Sequence, residues 1–224
     1  GDFIDGNWLT GIDVLDAERL GSREKLPEHR KEDKAHNNFY MLPLLLGLIG
    51  AIFQALRSWR DFSVTGLLFI LTGLAIVVYL NQYPLQPRER DYAYVGSFYA
   101  FAIWIGLGVY ALFDMAGNLR GKNLGIAMGA PLAIGVVLYV LESAGGGGHA
   151  LSYGILYLGA VSAALMGLAF GLGRMGNEKL NAAVFSALLL VVPFQMGAEG
   201  WNDHSRAGRS TGVDMAKNYL DSLD

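Results

Sequence analysis

The chain alternates between long apolar stretches and short groups of charged residues. Six apolar stretches lie between two polar ends, and they cover residues 37–56, 62–83, 92–113, 123–141, 150–173 and 180–198. Each is close to the ~20 residues that a helix needs to cross ~30 Å of hydrocarbon. The pattern therefore predicts six membrane-spanning helices.

Two other architectures fit the pattern poorly. A soluble helix bundle needs polar residues on one face at a period near ~3.6, and residues 67–80 and 182–194 have almost none. A membrane barrel needs strands of only ~9–11 residues with strict alternation, which is absent. Because backbone amides in lipid must pair within their own segment, we predict an all-α, polytopic membrane helix bundle.

The charges divide the chain into three regions. Residues 1–34 carry 15 of the 37 charges and residues 199–224 carry 8, so the residues between them carry only 14, all at the breaks between apolar stretches. We predict a polar extramembrane loop at 1–36, a six-helix transmembrane domain at 37–198 and the start of a C-terminal extramembrane region at 199–224. Since the chain begins at Gly1 and ends within an apparent helix, we also expect it to be an internal fragment.

Composition excludes several function classes. A net charge of −3 gives no basic surplus for binding nucleic acid. With no Cys, the chain has neither a disulfide framework nor a thiolate metal site. We assign no metal ligand and no cofactor-binding residue. The apolar stretches contain no ionisable Asp, Glu, Lys, Arg or His, which argues against an ion-coupled pump or a proton channel.

Glycine spacing suggests where helices approach one another. Gly125 with Gly129, and Gly167 with Gly171, form G-x-x-x-G pairs, which let helix backbones come close in lipid. We therefore expect helices to approach one another closely at these pairs.

The distribution of Lys and Arg gives two conflicting orientations. The short loops 57–61, 114–122 and 174–179 hold six of these residues and the alternate loops hold two, which favours a cytoplasmic location for the first set. The polar ends carry further basic residues on the opposite side. Because nine acidic residues accompany the first end, we give the short loops more weight and predict that the 84–91 loop and both ends are extracytoplasmic.

The densest polar loop between stretches contains the consecutive residues Arg88, Glu89, Arg90 and Asp91. Two prolines stiffen this loop, and two guanidiniums at headgroup level suit a phosphate, because each presents a planar fork of donors. A lipid phosphate is the natural candidate. The alternative is that the four charges neutralise one another in pairs and hold the third helix at the interface.

A second polar group follows the last stretch and includes Asp203, His204 and Arg206. An acid, an imidazole and a guanidinium this close together are suited to moving a proton or holding an anionic headgroup. Since an even number of crossings separates this group from the 84–91 loop, both lie on the same membrane face. The alternative is ordinary solvated charge beside the membrane.

The chain also resembles a family of large bacterial multipass proteins that is similar to the animal transmembrane protein O-mannosyltransferases. The resemblance covers essentially the whole chain, and its most specific part is the Pro-Arg-Glu-Arg-Asp-Tyr string at 87–92. Other matching strings are Asp-Gly-Asn-Trp at 5–8, Tyr-Met-Leu-Pro-Leu-Leu-Leu-Gly at 40–47 and Tyr-Leu-Asn-Gln at 79–82. The family continues after its last span with Trp-Asp-Asp-His-Asp-Arg-Ser. This chain has Asn202 and Ser205 at two of those acidic positions, so only Asp203, His204 and Arg206 match.

The resemblance implies a GT-C-like glycosyltransferase of the bacterial inner membrane. Such an enzyme transfers a sugar from a polyprenyl-phosphate carrier to a hydroxyl acceptor, which can be a protein, on the extracytoplasmic face. The family's catalytic acidic residue lies in a Trp-Asp-x-Gly-Glu-like string that this chain lacks, so the catalytic residue stays unassigned. Two alternatives from other classes are a transporter or flippase for lipid-linked intermediates and a non-catalytic membrane scaffold.

Overall fold

The structure, a computed structural model, describes residues 10–21, 37–81, 91–119, 121–174, 176–204 and 211–222. These residues form helices and connecting turns, and no strand occurs among them. A short helix, α1, covers Asp13–Leu20. The prediction of an all-α polytopic bundle is confirmed.

Five long helical segments have the length and composition to cross a membrane, and they are Trp59–Leu80, Tyr92–Asn118, Lys122–Gly145, Ala150–Gly173 and Glu178–Trp201. Mean hydropathy in their most apolar windows is between 1.7 and 2.3. Each falls on one of the six predicted stretches. The chain is therefore compatible with an integral membrane protein.

The first apolar helix is shorter than predicted. This helix, α2, covers Leu42–Arg57 and has 16 residues, which span only about 24 Å at 1.5 Å per residue. The predicted start at residue 37 was wrong, because Tyr40 and Met41 have positive φ angles of 51° and 54°, outside the right-handed helical region. Pro43 then occupies the first turn, where its missing N–H costs no hydrogen bond.

The second and third spans lie next to each other. Helix α3 runs over Trp59–Leu80 and contains a single π-helical turn at Ile70–Leu74. Helix α4 covers Val95–Asn118 and follows a short 3-10 turn at Asp91–Tyr94. A Cβ atom on Gly96 would lie 2.7 Å from the Thr72 hydroxyl oxygen, so the start of α4 packs tightly on this π-helical turn.

The remaining spans complete the bundle. Helix α5 covers Lys122–Gly145 and helix α6 covers Ala150–Gly173. The last predicted stretch is two helices, α7 at Glu178–Leu189 and α8 at Val191–His204. Pro193 accounts for the break, since it has no N–H to donate to the carbonyl of Leu189. A final helix, α9, covers Thr211–Asp221.

The closest approach between two helices in the described part of the chain is between α2 and α4. It occurs at glycines other than those of the two G-x-x-x-G pairs. A Cβ atom on Gly50 would overlap the Trp104 carbonyl oxygen, and one on Gly108 would overlap the Leu46 carbonyl oxygen. Among the described residues, a Cβ atom on Gly125, Gly129 or Gly171 would meet nothing within 4 Å. One on Gly167 would lie 3.8 Å from the Met128 side chain of α5, which is an ordinary contact and not a close approach. The close helix approach expected at the two G-x-x-x-G pairs was therefore wrong.

A hydrogen-bonded polar group joins α2, α3 and α4 inside the bundle. The indole N–H of Trp104 donates to the Gln54 side-chain oxygen at 2.7 Å, and the Gln54 amide donates to the Thr65 hydroxyl at 3.3 Å. Phe62 and Phe69 pack against the Trp104 ring. Since polar groups in an apolar interior are costly unless paired, these bonds fix the rotation of α2, α3 and α4 relative to one another.

Candidate functional site

An N-terminal segment, residues 10–21, is held against one end of the bundle. Thr10 donates to the Asp16 carboxylate from its backbone N–H at 2.9 Å and from its hydroxyl at 2.9 Å, which closes a turn before α1. The Thr10 carbonyl accepts from the Tyr40 N–H at 2.8 Å. Leu15 is buried and lies beside Gly154 of α6. Helix α1 therefore rests on the first turns of α6.

Two contacts between distant parts of the chain define one face of the bundle. The Glu18 carboxylate of α1 accepts from the backbone N–H of His149, in the turn between α5 and α6, at 3.4 Å. The Gln195 amide of α8 donates to the carbonyl of Asn38, just before α2, at 2.6 Å. We call this end the α1 face. The opposite end carries Ser58, the turn before α5 and the C-terminal end of α6.

The α1 face contains a polar cluster that the sequence analysis did not predict. The imidazole Nδ1 of His149 lies 3.8 Å from a Glu142 carboxylate oxygen, and the same oxygen accepts from the backbone N–H of Ser152 at 3.3 Å. The His149 ring also packs against Tyr139 and Tyr153, with ring centroids 4.6 and 5.7 Å away. We call Glu142, His149 and Ser152 the turn cluster.

The turn cluster is a structural unit with ionisable groups near the surface. The side chains of Glu142 and His149 are about one-fifth exposed, at 20% and 22%. His149 Nδ1 is buried and makes no hydrogen bond to any residue that the structure describes. Glu142 stabilises the start of α6, where a carboxylate complements the helix dipole. The only sequence signal was that Glu142 and His149 flank the run of glycines at 145–148.

The predicted site residues fall largely outside what the structure describes. Arg88, Glu89, Arg90 and Arg206 lie outside the described residues. Asp91 begins the 3-10 turn before α4, and Asp203 and His204 end α8, but the positions of these three side chains also lie outside the description. The helix order places these three backbone positions at the α1 face. That the charged groups at 88–91 and 203–206 lie together stays a prediction.

No group of three or more His, Cys, Asp or Glu side chains with the arrangement of a metal site occurs among the described residues.

In comparisons with known proteins, no family model, curated protein or solved structure matches the chain.

Proposed function

We propose that this chain is part of a membrane glycosyltransferase that takes a sugar from a polyprenyl-phosphate carrier and transfers it to an extracytoplasmic hydroxyl acceptor. The observation that supports the proposal best is the α1 face. The contacts Glu18 to His149 and Gln195 to Asn38 bring the N-terminal segment, the turn after α5 and the end of the last span to one side. The loop that contains Arg88 and Arg90 leads into Asp91 on that side.

The chemistry of such a transfer has two requirements. A carboxylate base must lie near the acceptor hydroxyl, and cationic groups must stabilise the departing polyprenyl phosphate. In this proposal Arg88 and Arg90 supply the cationic groups. Asp203, His204 and Arg206 line the same phosphate-binding pocket. The base is not assigned to any residue of this chain. Membrane lipid and the lipid-linked sugar are thus the expected partners.

The test replaces both phosphate-binding guanidiniums, Arg88→Gln with Arg90→Gln, in the complete protein. We expect the affinity for polyprenyl phosphate to fall at least about tenfold, because hydrogen bonds to charged groups contribute roughly 1.5–3 kcal/mol each. Sugar transfer from the lipid-linked donor should fall with it. Lipid binding and transfer are measured separately on the purified protein.

The matched control carries Arg57→Gln with Arg60→Gln, since both of these arginines are exposed at the opposite end of the bundle. This control should keep donor binding and transfer. Unchanged binding in the Arg88, Arg90 variant would show that the phosphate assignment is wrong. Donor binding and translocation across vesicles without any transfer would support the flippase alternative instead.

A further inference from the structure

We propose that a cavity at the end opposite the α1 face binds the phosphate headgroup of an anionic phospholipid. The cavity has a volume of ≈ 340 Å³. It is lined by Ala116, Gly117, Gly121, Phe170, Gly173 and Arg174, and we call it the α4–α6 cavity.

The cavity lies at the membrane depth where lipid headgroups are expected. Three helix ends meet there. They are the last turn of α4, the residue that precedes α5 and the C-terminal end of α6. All three helices belong to candidate membrane spans, so we place their ends at the boundary between hydrocarbon and water. Ile126, one turn into α5, is 53% exposed and offers an apolar surface for acyl chains below the headgroup.

Three glycines without side chains leave room for the α4–α6 cavity. Gly117, Gly121 and Gly173 are exposed, and a Cβ atom on any of them would meet no described atom within 4 Å. They therefore do not serve a close helix contact, unlike Gly50 and Gly108. Gly121 also has a φ angle of +56°, so the turn before α5 itself favours glycine at this position.

Arg174 supplies the charge. Its guanidinium carbon lies 4.5 Å from the centre of the Phe170 ring, which holds the side chain at the cavity. Within the described part of the chain, no carboxylate lies within 4 Å of this guanidinium. The planar fork of an arginine matches two phosphate oxygens. Lys122, at the first position of α5, adds a second cation beside Gly121.

The experiment measures lipid retention by the detergent-solubilised protein in native mass spectrometry, with phosphatidylglycerol and phosphatidylcholine supplied at equal concentration. We expect more phosphatidylglycerol than phosphatidylcholine to be retained. Arg174→Gln should lower phosphatidylglycerol retention about fivefold, the effect of one cation near an anionic surface. Gly117→Leu should lower it similarly with Arg174 intact, because the new side chain fills the cavity.

Arg57→Gln is the matched control, since it removes an exposed arginine from the same end of the bundle without touching the cavity. Circular dichroism establishes that each variant keeps its helix content. Equal retention of the two lipids by the unaltered protein, or a loss in Arg57→Gln as large as in Arg174→Gln, would overturn the proposal. Displacement of the lipid by an equal concentration of inorganic phosphate would also overturn it, since the site would then bind free phosphate.

Discussion

At Gly50 the backbones of α2 and α4 come so close that no side chain fits between them. A Cβ atom there would overlap the Trp104 carbonyl oxygen and lie 2.7 Å from the backbone nitrogen of Gly108. Helices in lipid gain little from hydrophobic burial, so close packing and polar contacts supply much of their association. Gly50 and Gly108 therefore contribute to stability through the space that they leave open.

Replacing Gly50 with Ala should destabilise the protein by about 1–3 kcal/mol, because the two backbones must separate to admit a methyl group. The matched control is Gly129→Ala, whose new methyl group would meet no atom within 4 Å in the described part of the chain. This variant should be as stable as the unaltered protein or slightly more so, since Ala favours the helix. Thermal unfolding in detergent measures both, and equal stability of the two variants would contradict the packing account.

The sequence showed that small residues occur at helix-packing spacing, but it did not show which glycines have a partner. Gly125 and Gly129 are one turn apart on α5, and no neighbouring helix approaches that surface within the described part of the chain. Gly50 and Gly108 lie on different helices, so no local spacing connects them. Their pairing depends on how α2 and α4 cross.

Among the elements, α1 shows how a short polar helix is held on a membrane bundle. Asp16 fixes the turn before it, Leu15 packs into α6 near Gly154, and Glu18 contacts the turn between α5 and α6. An isolated helix of 8 residues would not be stable in water. The tertiary contacts of α1 therefore determine whether it forms.

Leu15→Ala should release α1 from the bundle. Loss of a buried leucine side chain costs about 2 kcal/mol or more, which corresponds to roughly 30-fold faster amide exchange in residues 13–20. Val14→Ala is the control, because Val14 is adjacent in sequence but 62% exposed. Hydrogen exchange followed by mass spectrometry compares the two variants. If Val14→Ala accelerated exchange as much as Leu15→Ala, the docking of α1 through Leu15 would be excluded.

Element positions followed from the sequence better than element ends. Length and hydropathy were enough to locate the spans because the bilayer sets a minimum length. The start of α2 and the break between α7 and α8 depend on backbone angles at Tyr40 and Met41 and on the missing N–H of Pro193. The turn cluster was missed because Glu142 and His149 come together only through the turn between α5 and α6.

In the whole molecule, the arrangement separates two membrane faces with different proposed roles. The α1 face carries the turn cluster, the backbone of Asp91 and the end of α8, and it is the proposed location of sugar transfer. The opposite face carries the α4–α6 cavity with Arg174. Both proposals depend on the order in which the helices cross the bilayer and on the predicted extracytoplasmic location of the α1 face.

The most direct test of this arrangement is cysteine accessibility, since the chain contains no Cys that would give a background signal. Single substitutions Gln86→Cys, Gly147→Cys and Asn118→Cys are each reacted with a membrane-impermeant maleimide in intact and in lysed spheroplasts. We predict that positions 86 and 147 react in intact spheroplasts and that position 118 reacts only after lysis. Reaction of positions 86 and 118 under the same condition, or the reverse order, would contradict the account.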